Sequence, residues 1–471
     1  MSLTYENLNI HPYQLVHLQE LTLIKQLNEH ARLRFTGIVS EENSKLYVDM
    51  TDADTPIELN QIDANGRSKP LFRGIVLSIE IQVVQAVHYL KVEAISHTYI
   101  MDVKTRTRSF QNVKMTIPQL LEQIGKEYPG LDVMDEATAG AKLQRMALQY
   151  EETDWAFLRR MASRYHTSLV PAAQFDDPKI YFGVPEGSRM IQFEQMNYTV
   201  SKRMTPFRYF IENEAAPVGE NDFITYDVET DEVFDLGNHI QFQGKSLFVR
   251  EAHTTMQGSM LKHRYVLCSH NGLRQKEYSH ERLIGASIRG TVIDVAGDMV
   301  RVHFECDHEQ KKEEARWFRY STVYSAEGST GWYVMPEIGD PVAVFFPGKK
   351  EEEGIAAGAI RQNTEPSGRN KLSNPDVKIF RTPSGKEIRL APDEIVITGK
   401  DGAIYIQLND EDGIHIASSK GVSITADGDI AMSAGRKMVL SAGSEMNMSC
   451  NGSQLHLGNQ ARLMGSKVKS N

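Results

Sequence analysis

The chain has 471 residues, of which 41% are hydrophobic and 24% are charged, and its formal net charge is −10. This length accommodates about three domains, and the composition is that of a globular protein with a buried core. The negative charge argues against non-specific nucleic-acid binding, and three widely spaced cysteines argue against a disulfide framework or a zinc ribbon. No apolar run approaches the roughly 18 residues of a membrane span, and no signal-peptide pattern opens the chain, so we expect synthesis in the cytoplasm.

Two stretches of the N-terminal part predict β-strands. Residues 1 to about 110 contain long runs of alternating apolar and polar residues rich in β-branched side chains. Residues 167–273 return to this pattern, and the segment FRYFIEN at 207–213 is among the predicted strands. We therefore expect two related β-barrels.

Two helices are predicted between these stretches. Pro118 suits a first helical turn, and the apolar spacing after it predicts a helix at about 116–128. A second helix is predicted at about 153–166, with Thr153 as its N-cap and Asp154 at the positive end of the helix dipole. The helices are expected to bridge the two barrels.

A third unit is predicted from about 282 to 363. It contains a strand, a Gly-Asp turn and a second strand in which Val300, Val302 and Phe304 face inward. With the strands that follow, this is the content of a small five-stranded OB-type barrel. The segment after it is rich in Asn, Pro, Ser and Gly, which is typical of a linker.

The C-terminal residues 402–458 repeat a short phrase that begins with glycine, as in GAIYIQL, GIHIASS and GVSITAD. Apolar residues two apart follow each glycine, which is the alternation of a strand with one buried face. Such a short strand needs neighbours. A period of about eight residues is too long for a left-handed single-chain β-helix and too short for a right-handed one. It fits three copies wound round one axis as a triangular prism, with a single-chain solenoid or a meander as the alternative.

The predicted trimer core consists of the alternating apolar residues of these phrases. They are Ile404, Ile406, Ile414, Ile416, Val422, Ile424, Ile430, Met432, Met438, Leu440, Met446, Met448, Cys450, Leu455 and Leu457.

Four segments resemble a known family. YEETDWAFLRRMASRYH at 150–166 looks like the E-S/T-D-x-x-F-L-x-R signature in the hub of VgrG proteins of type VI secretion and of related phage tail-hub proteins. VRVHFECD at 300–307, PEIGDPVAVFF at 336–346 and GIAAGAIRQNTEP at 354–366 are similar to phrases of the family's OB-like barrel. The C-terminal repeats match the family's triple-stranded β-helix in kind.

The resemblance implies the homotrimeric central spike and hub of a contractile injection machine. In that family the hub converts the six-fold symmetry of the tail tube and baseplate into the three-fold symmetry of the spike. The OB barrel forms a collar, and the β-helix is driven into the target envelope. The expected partners are tube and baseplate proteins, with effector cargo and transient contact with the envelope. The protein would be assembled into the particle after synthesis and delivered or exported on contraction.

The chain departs from the family at its end. Some relatives bind iron through closely spaced histidines at the tip, but His456 is the only late histidine, and its parity puts it outside the core. We therefore expect no metal site there, and the resemblance suggests that a separate PAAR-repeat protein caps the end.

The sequence offers no convincing catalytic motif. GKS at 244–246 follows a glycine after six residues, where a phosphate loop needs four, so we expect a hairpin. The His-Glu pairs at 280–281 and 308–309 lack the second histidine of a zincin. The three potential ligands within 303–308 lack a fourth. We expect no enzymatic activity and no cofactor.

The predicted organisation is a mainly β protein with four parts: a hub at 1–280, an OB-like barrel at 281–364, a linker at 365–385 and a trimeric β-helix at 386–471. The predicted function is that of a structural hub and spike. The alternative is a β-helix tailspike enzyme or adhesin that acts on cell-surface polysaccharide.

Overall fold

The computed structural model is mainly β and contains a closed five-stranded barrel, which confirms these parts of the predicted fold class, while the trimeric β-helix stays a prediction. It describes residues 4–63, 66–185, 190–257, 260–325, 330–358, 374–400, 402–467 and 469. The chain divides into two compact units, residues 1–361 and 362–471. No helix in the described ranges is long and apolar enough to cross a membrane.

The described part of the first unit contains the four α-helices and the strands β1 to β22. The helices are α1 (Glu41–Met50), α2 (Ile117–Gly125), α3 (Asp154–Ser163) and α4 (Met204–Glu212). The strands are β1 (Leu8–His11), β2 (His17–Gln26), β3 (Glu29–Val39), β4 (Pro56–Ile62), β5 (Ser68–Val84), β6 (Val87–Ser96), β7 (Thr105–Phe110), β8 (Asp132–Asp135), β9 (Ala147–Thr153), β10 (Leu169–Pro171), β11 (Lys179–Phe182), β12 (Ile191–Gln192), β13 (Tyr198–Lys202), β14 (Ile224–Thr230), β15 (His239–Phe242), β16 (Lys245–Gln257), β17 (Met260–Cys268), β18 (Ser287–Ala296), β19 (Met299–Phe304), β20 (Trp317–Tyr320), β21 (Pro341–Phe345) and β22 (Ile355–Ala357).

One sheet of twelve strands, called the hub sheet below, joins the two strand-rich halves of the first unit. Its main order is β1-β4-β5-β6-β3-β2-β16-β17-β14-β13, with β15 beside β16 and β12 beside β15. The halves meet where β2 pairs antiparallel with β16. Each half has its own apolar core, so the two predicted barrels are parts of a continuous sheet.

Helices α2 and α3 begin at their predicted caps. The Thr116 side chain accepts a hydrogen bond from the Gln119 backbone N–H, and the Gln119 side chain accepts one in return from the Thr116 N–H. Thr153 caps α3 in the same way, by accepting from the Ala156 N–H. Both helices contribute to one core that includes Trp155.

Helices α1 and α4 correct the prediction. The segment FRYFIEN, predicted as a strand, lies in α4 and in its C-cap Asn213. Its apolar residues also fit a helix, because Phe207, Phe210 and Ile211 stand three and four positions apart, and Phe210 is the residue that α4 buries. Ser40 caps α1, whose sequence was included in the predicted strand-rich stretch.

The strands β18 to β22 form a closed barrel in the order β18-β19-β20-β22-β21. Val300, Val302 and Phe304 are fully buried in its core, as their alternation predicts. Gly290 allows β18 to lie close to β19, since a Cβ there would stand 2.4 Å from Val302 Cγ1 and 2.6 Å from the His303 carbonyl oxygen.

The described part of the second unit contains two antiparallel sheets. The first is ordered β23 (Lys378–Arg381), β24 (Glu387–Leu390), β25 (Glu394–Lys400), β26 (Ile404–Asn409) and β27 (Gly413–Ser418). The second is formed by β28 (Met446–Cys450), β29 (Ser453–Leu457) and β30 (Ala461–Met464).

The boundary of the predicted linker differs from the structure. Of the residues 365–385 assigned to it, 365–373 lie outside the described ranges, and β23 occupies Lys378–Arg381. This strand forms because KIFR pairs in antiparallel register with the alternating residues of β24.

Candidate functional site: an apolar face on the C-terminal strands

One face of the sheet β23–β27 carries two rows of apolar side chains, called the apolar face below. In the first row Ile388 lies opposite Ile397, Ile397 opposite Ile406, and Ile406 opposite Ile416. These pairings follow from the alternation in the sequence, since residues two apart on a strand point to the same side. The full set is Phe380, Ile388, Leu390, Ile395, Ile397, Ile406, Leu408, Ile414 and Ile416, and each is 39% to 73% exposed in the single chain.

The opposite face of this sheet is mainly polar, and its charged groups find partners within the sheet. Glu387 is almost fully buried and accepts a hydrogen bond from Arg381 at 2.6 Å. Glu394 accepts from both Arg389 and Gln407. Glu387, Arg389 and Gln407 line a shallow depression of about 620 Å³, together with apolar residues such as Val396. The charged groups of the polar face are therefore paired within the sheet, whereas the apolar face is open to water.

The sheet β28–β30 repeats this division. Met446 lies opposite Leu457, and Met448 lies opposite Leu455. His456 lies on the other face, where its ring nitrogen Nδ1 hydrogen-bonds the Asn447 side chain. Leucine and methionine side chains thus share one side of this hairpin, and His456 does not point to it.

Between the two sheets the structure differs from the sequence prediction. Residues 419–445 are described and contain no strand, although three phrases there have the same alternation. The apolar residues of this segment are exposed. A strand must hydrogen-bond to a neighbour, and a phrase of this length has too little apolar surface to hold one alone. The predicted residues concerned are Val422, Ile424, Ile430, Met432, Met438 and Leu440.

The structure brings the other predicted core residues onto the faces expected from their parity. Ile404 is half-buried and lies opposite Lys400, where the register between β25 and β26 shifts by one residue. Cys450 is exposed at the end of β28. Within each sheet, consecutive described strands pair as an antiparallel meander in the single chain.

Sequence reasoning missed seven apolar residues of these surfaces. Five of them lie in KIFR, EIRL and EIVIT, which do not begin with the glycine that defined the repeat, while Leu408 is the third alternating residue of GAIYIQL and Leu463 lies in ARLM after the last phrase. The missed residues are Phe380, Ile388, Leu390, Ile395, Ile397, Leu408 and Leu463.

The family-like signature at 150–166 forms a buried charge cluster at the junction of α3 and the barrel. Arg160 donates to Glu351 at 2.6 Å and to Glu152 at 2.8 Å, and Arg164 donates to Glu351 at 2.7 Å. Burial lowers the pKa of Arg164 to about 10 despite the charge of Glu351. Burial alone would raise the pKa of Glu351, but the charges of Arg164 and Arg160 outweigh it, so this pKa lies below its ordinary value. These ion pairs join α3 to the segment between β21 and β22 of the barrel.

Asp154 in the same signature has a second structural role. Its buried carboxylate accepts hydrogen bonds from Tyr128 at 2.6 Å and from Arg108, and it lies 3.1 Å from Arg106. Burial and the hydrogen bond to Asp154 raise the pKa of Tyr128 to about 12. The sequence had assigned Asp154 only to the helix dipole.

The motifs weighed for catalysis have structural explanations. Gly244 lies in the turn of the predicted hairpin, and Lys245 and Ser246 begin β16, which pairs antiparallel with β15. The His303 ring contacts the Asp307 backbone carbonyl at 3.0 Å, and His308 is almost fully exposed. Burial, with the charge of Asp307, raises the pKa of Cys306 to about 12, which disfavours its thiolate. Among the described residues no group of three or more His, Cys, Asp or Glu side chains could hold a metal ion.

Comparisons with known proteins agree with this architecture. Residues 288–360 match the family model described as "Type VI secretion system/phage-baseplate injector OB domain". Comparison with curated proteins gave no match. The matched residues comprise nearly the whole barrel β18–β22, and they confirm the resemblance to hub and spike proteins of contractile injection systems.

Solved structures share the fold over most of the chain. The Escherichia coli c3393 protein, described as a type VI secretion component with structural similarity to T4 bacteriophage tail proteins gp27 and gp5, has a TM-score of 0.54 at 15% identity. That similarity covers 75% of this chain and 99% of the c3393 chain. A Francisella PdpA-VgrG complex contains a chain with a TM-score of 0.53 at 9% identity, covering 87% of both chains.

Proposed function

We propose that this chain, which contains an injector OB domain at 288–360, is the homotrimeric hub and spike of a contractile injection machine. The observation that carries the proposal is the apolar face, where nine large side chains in strand register are open to water. Monomeric soluble proteins rarely expose contiguous apolar surface on this scale, and large exposed patches mark interaction sites.

Two further copies of the chain are the proposed cover of this face. A sheet with one apolar and one polar side is suited to form one wall of a prism, with its apolar side turned to the axis. Burying the exposed half of one isoleucine contributes about 1 kcal/mol. Three walls would bury all three faces together and would give the unpaired phrases at 419–445 neighbours with which to form strands. The proposed core is the set of fifteen residues predicted from the repeats, extended by the seven residues that the sequence analysis missed.

The proposed role of each part follows its order along the chain. The hub at 1–280 would contact tail tube and baseplate proteins, and the barrel at 281–364 would form the collar above the spike. The spike would lead through the target envelope, capped by a PAAR-repeat protein and carrying effector cargo. This role is mechanical and requires no catalytic residue or cofactor.

The tailspike alternative lacks a supporting observation. A polysaccharide-cleaving site of that type uses a pair of carboxylates in an open cleft. The carboxylates that line the depression or border it, Glu387 and Glu394, are each engaged by an arginine of the same sheet. Both are accounted for as structural groups.

The test compares Ile416→Asp with His415→Asp in the full chain. The two residues are neighbours on β27, both are exposed in the single chain, and they lie on opposite faces. In a trimer Ile416→Asp would bury three carboxylates round one axis, at a large desolvation cost. We expect native mass spectrometry to find three chains in the parent and in His415→Asp, and a shift towards monomer in Ile416→Asp. A monomeric parent at micromolar concentration would refute the trimer. Co-purification with sheath and tube proteins from producing cells would separate a hub and spike from a free tailspike.

A further inference from the structure

Strand β28 carries three sulfur-containing side chains on one face. Met446, Met448 and Cys450 occupy alternate positions of this strand, and alternate residues of a strand point to the same side of the sheet. In the single chain Met448 is 46% exposed, and Cys450 is an exposed free thiol. These three side chains, called the sulfur row below, therefore form a line of soft donor atoms.

The surroundings of the sulfur row are apolar. Met446 lies opposite Leu457 and Met448 lies opposite Leu455 on β29. His456 points to the other face of this hairpin, where it bonds an asparagine side chain. From residue 446 to residue 471 the sequence contains neither aspartate nor glutamate. In the described part of the sheet β28–β30, the sulfur row is thus accompanied by no carboxylate or imidazole on its own face.

This donor set selects a soft, monovalent metal ion. Calcium and magnesium take oxygen ligands, and zinc takes thiolates, imidazoles and carboxylates, so thioether sulfur suits none of them. A thiolate together with thioethers selects Cu(I). One thiolate and one Cu(I) ion are neutral as a pair, whereas a divalent ion held by one thiolate would leave a positive charge in apolar surroundings.

One copy of the sulfur row cannot complete such a site. Alternate residues of a strand lie about 6.6 to 6.8 Å apart, so the first and third positions of the row are separated by roughly 13 Å. Metal–sulfur bonds measure only about 2.3 Å, so one ion can be reached by two neighbouring sulfurs of the same strand and not by all three. Further sulfur ligands must come from other copies of the chain.

The proposed trimer supplies these further ligands, and the present inference rests on that proposed function. Each copy would turn the apolar face of β28 to the common axis, which brings three sulfur rows into one layer of the spike. The leucines that lie beside each row would exclude water from this layer. The site would therefore exist in the assembled spike and not in a single chain.

We propose that the sulfur rows of three copies bind Cu(I). Each ion is held by the Cys450 thiolate of one copy and by thioethers of Met446 or Met448. On binding, the Cys450 thiol releases its proton to solvent and a sulfur–copper bond forms. Copper enters and stays as Cu(I), so no electron is transferred. A bound ion links copies of the chain at β28, which would hold the three walls of the spike together.

Leucine substitutions separate metal binding from simple packing. Methionine also fills apolar cores, and Met448→Leu keeps the apolar volume while it removes the sulfur atom. Met464→Leu is the matched control, because Met464 lies opposite Gln454, on the other face of the same sheet, and is 48% exposed. Cys450→Ser removes the thiolate and keeps a side chain of similar size.

The experiment uses the full chain, kept reduced and free of oxygen. Cu(I) is supplied to the purified protein as its coloured bicinchoninate complex, and in parallel the chain is expressed in copper-supplemented cells. Native mass spectrometry counts chains and copper ions in the same particle. Because each copy offers one Cys450 thiolate, we expect one to three copper ions per trimer in the parent and in Met464→Leu. Met448→Leu and Cys450→Ser should remain trimeric and bind copper at least tenfold more weakly.

The outcomes distinguish this site from the trimer itself. A trimeric parent that acquires no copper by either route would overturn the site and leave the trimer standing. Equal copper binding by the parent and Met448→Leu would overturn thioether coordination, and equal binding by Cys450→Ser would overturn the thiolate. A monomeric parent would overturn both the trimer and the copper site.

Discussion

Replacing Glu351 with glutamine should destabilise the first unit more than the removal of a single charge at its surface would. The Glu351 carboxylate is the shared acceptor of Arg160 and Arg164, whose side chains are only 5% and 8% exposed. The amide of the Glu351→Gln variant would keep the shape of the side chain but remove its negative charge. Arg160 would retain Glu152 as a partner, whereas Arg164 would lose its anionic hydrogen-bond partner.

The expected loss follows from the burial of these charges. Removing one partner of a buried ion pair typically costs about 3 to 5 kcal/mol, because the remaining charge stays buried without compensation. For a unit of this size we expect Tm to fall by roughly 5 °C. Differential scanning fluorimetry and guanidinium unfolding of the full chain would measure the change.

Glu281→Gln provides the control for this measurement. Glu281 and Glu351 each lie in a short 3₁₀ segment. Glu281 pairs with Lys349 at 3.5 Å, but both side chains of this pair are more than half exposed. Exposed pairs contribute about 0 to 1 kcal/mol. Equal Tm values for the two variants would show that Glu351 does not compensate the two buried arginines.

Two further outcomes are expected from buried groups. Burial lowers the pKa of His263 to about 4, so the unfolded state takes up a proton before the folded state does as the pH falls below 6.5. Between pH 6.5 and pH 4 the free energy of unfolding of the parent should therefore fall by about 3 kcal/mol more than that of His263→Gln. Equal decreases in the two proteins would contradict this. Gly290→Ala places a Cβ against Val302 and the His303 carbonyl, whereas Gly297→Ala meets open space and only a positive φ; the first should therefore lower Tm by several degrees more than the second, and the reverse order would contradict the close packing of β18 on β19.

Local signals explain which parts of the first unit were predictable. Helices α2 and α3 begin with capping threonines and carry apolar residues at helical spacing, so a few adjacent residues determine them. Helix α4 was mistaken for a strand because a short apolar segment fits both periods. Its burial of Phe210 is decided by packing, which the sequence of the segment does not contain.

Long-range pairing set the limit of prediction in the hub sheet. The pairing of β2 with β16 joins residues more than two hundred positions apart, and no motif in either strand specifies the other. The single continuous sheet therefore emerged only from the strand order. In contrast, the alternation that defines the apolar face is present in every phrase of the sequence.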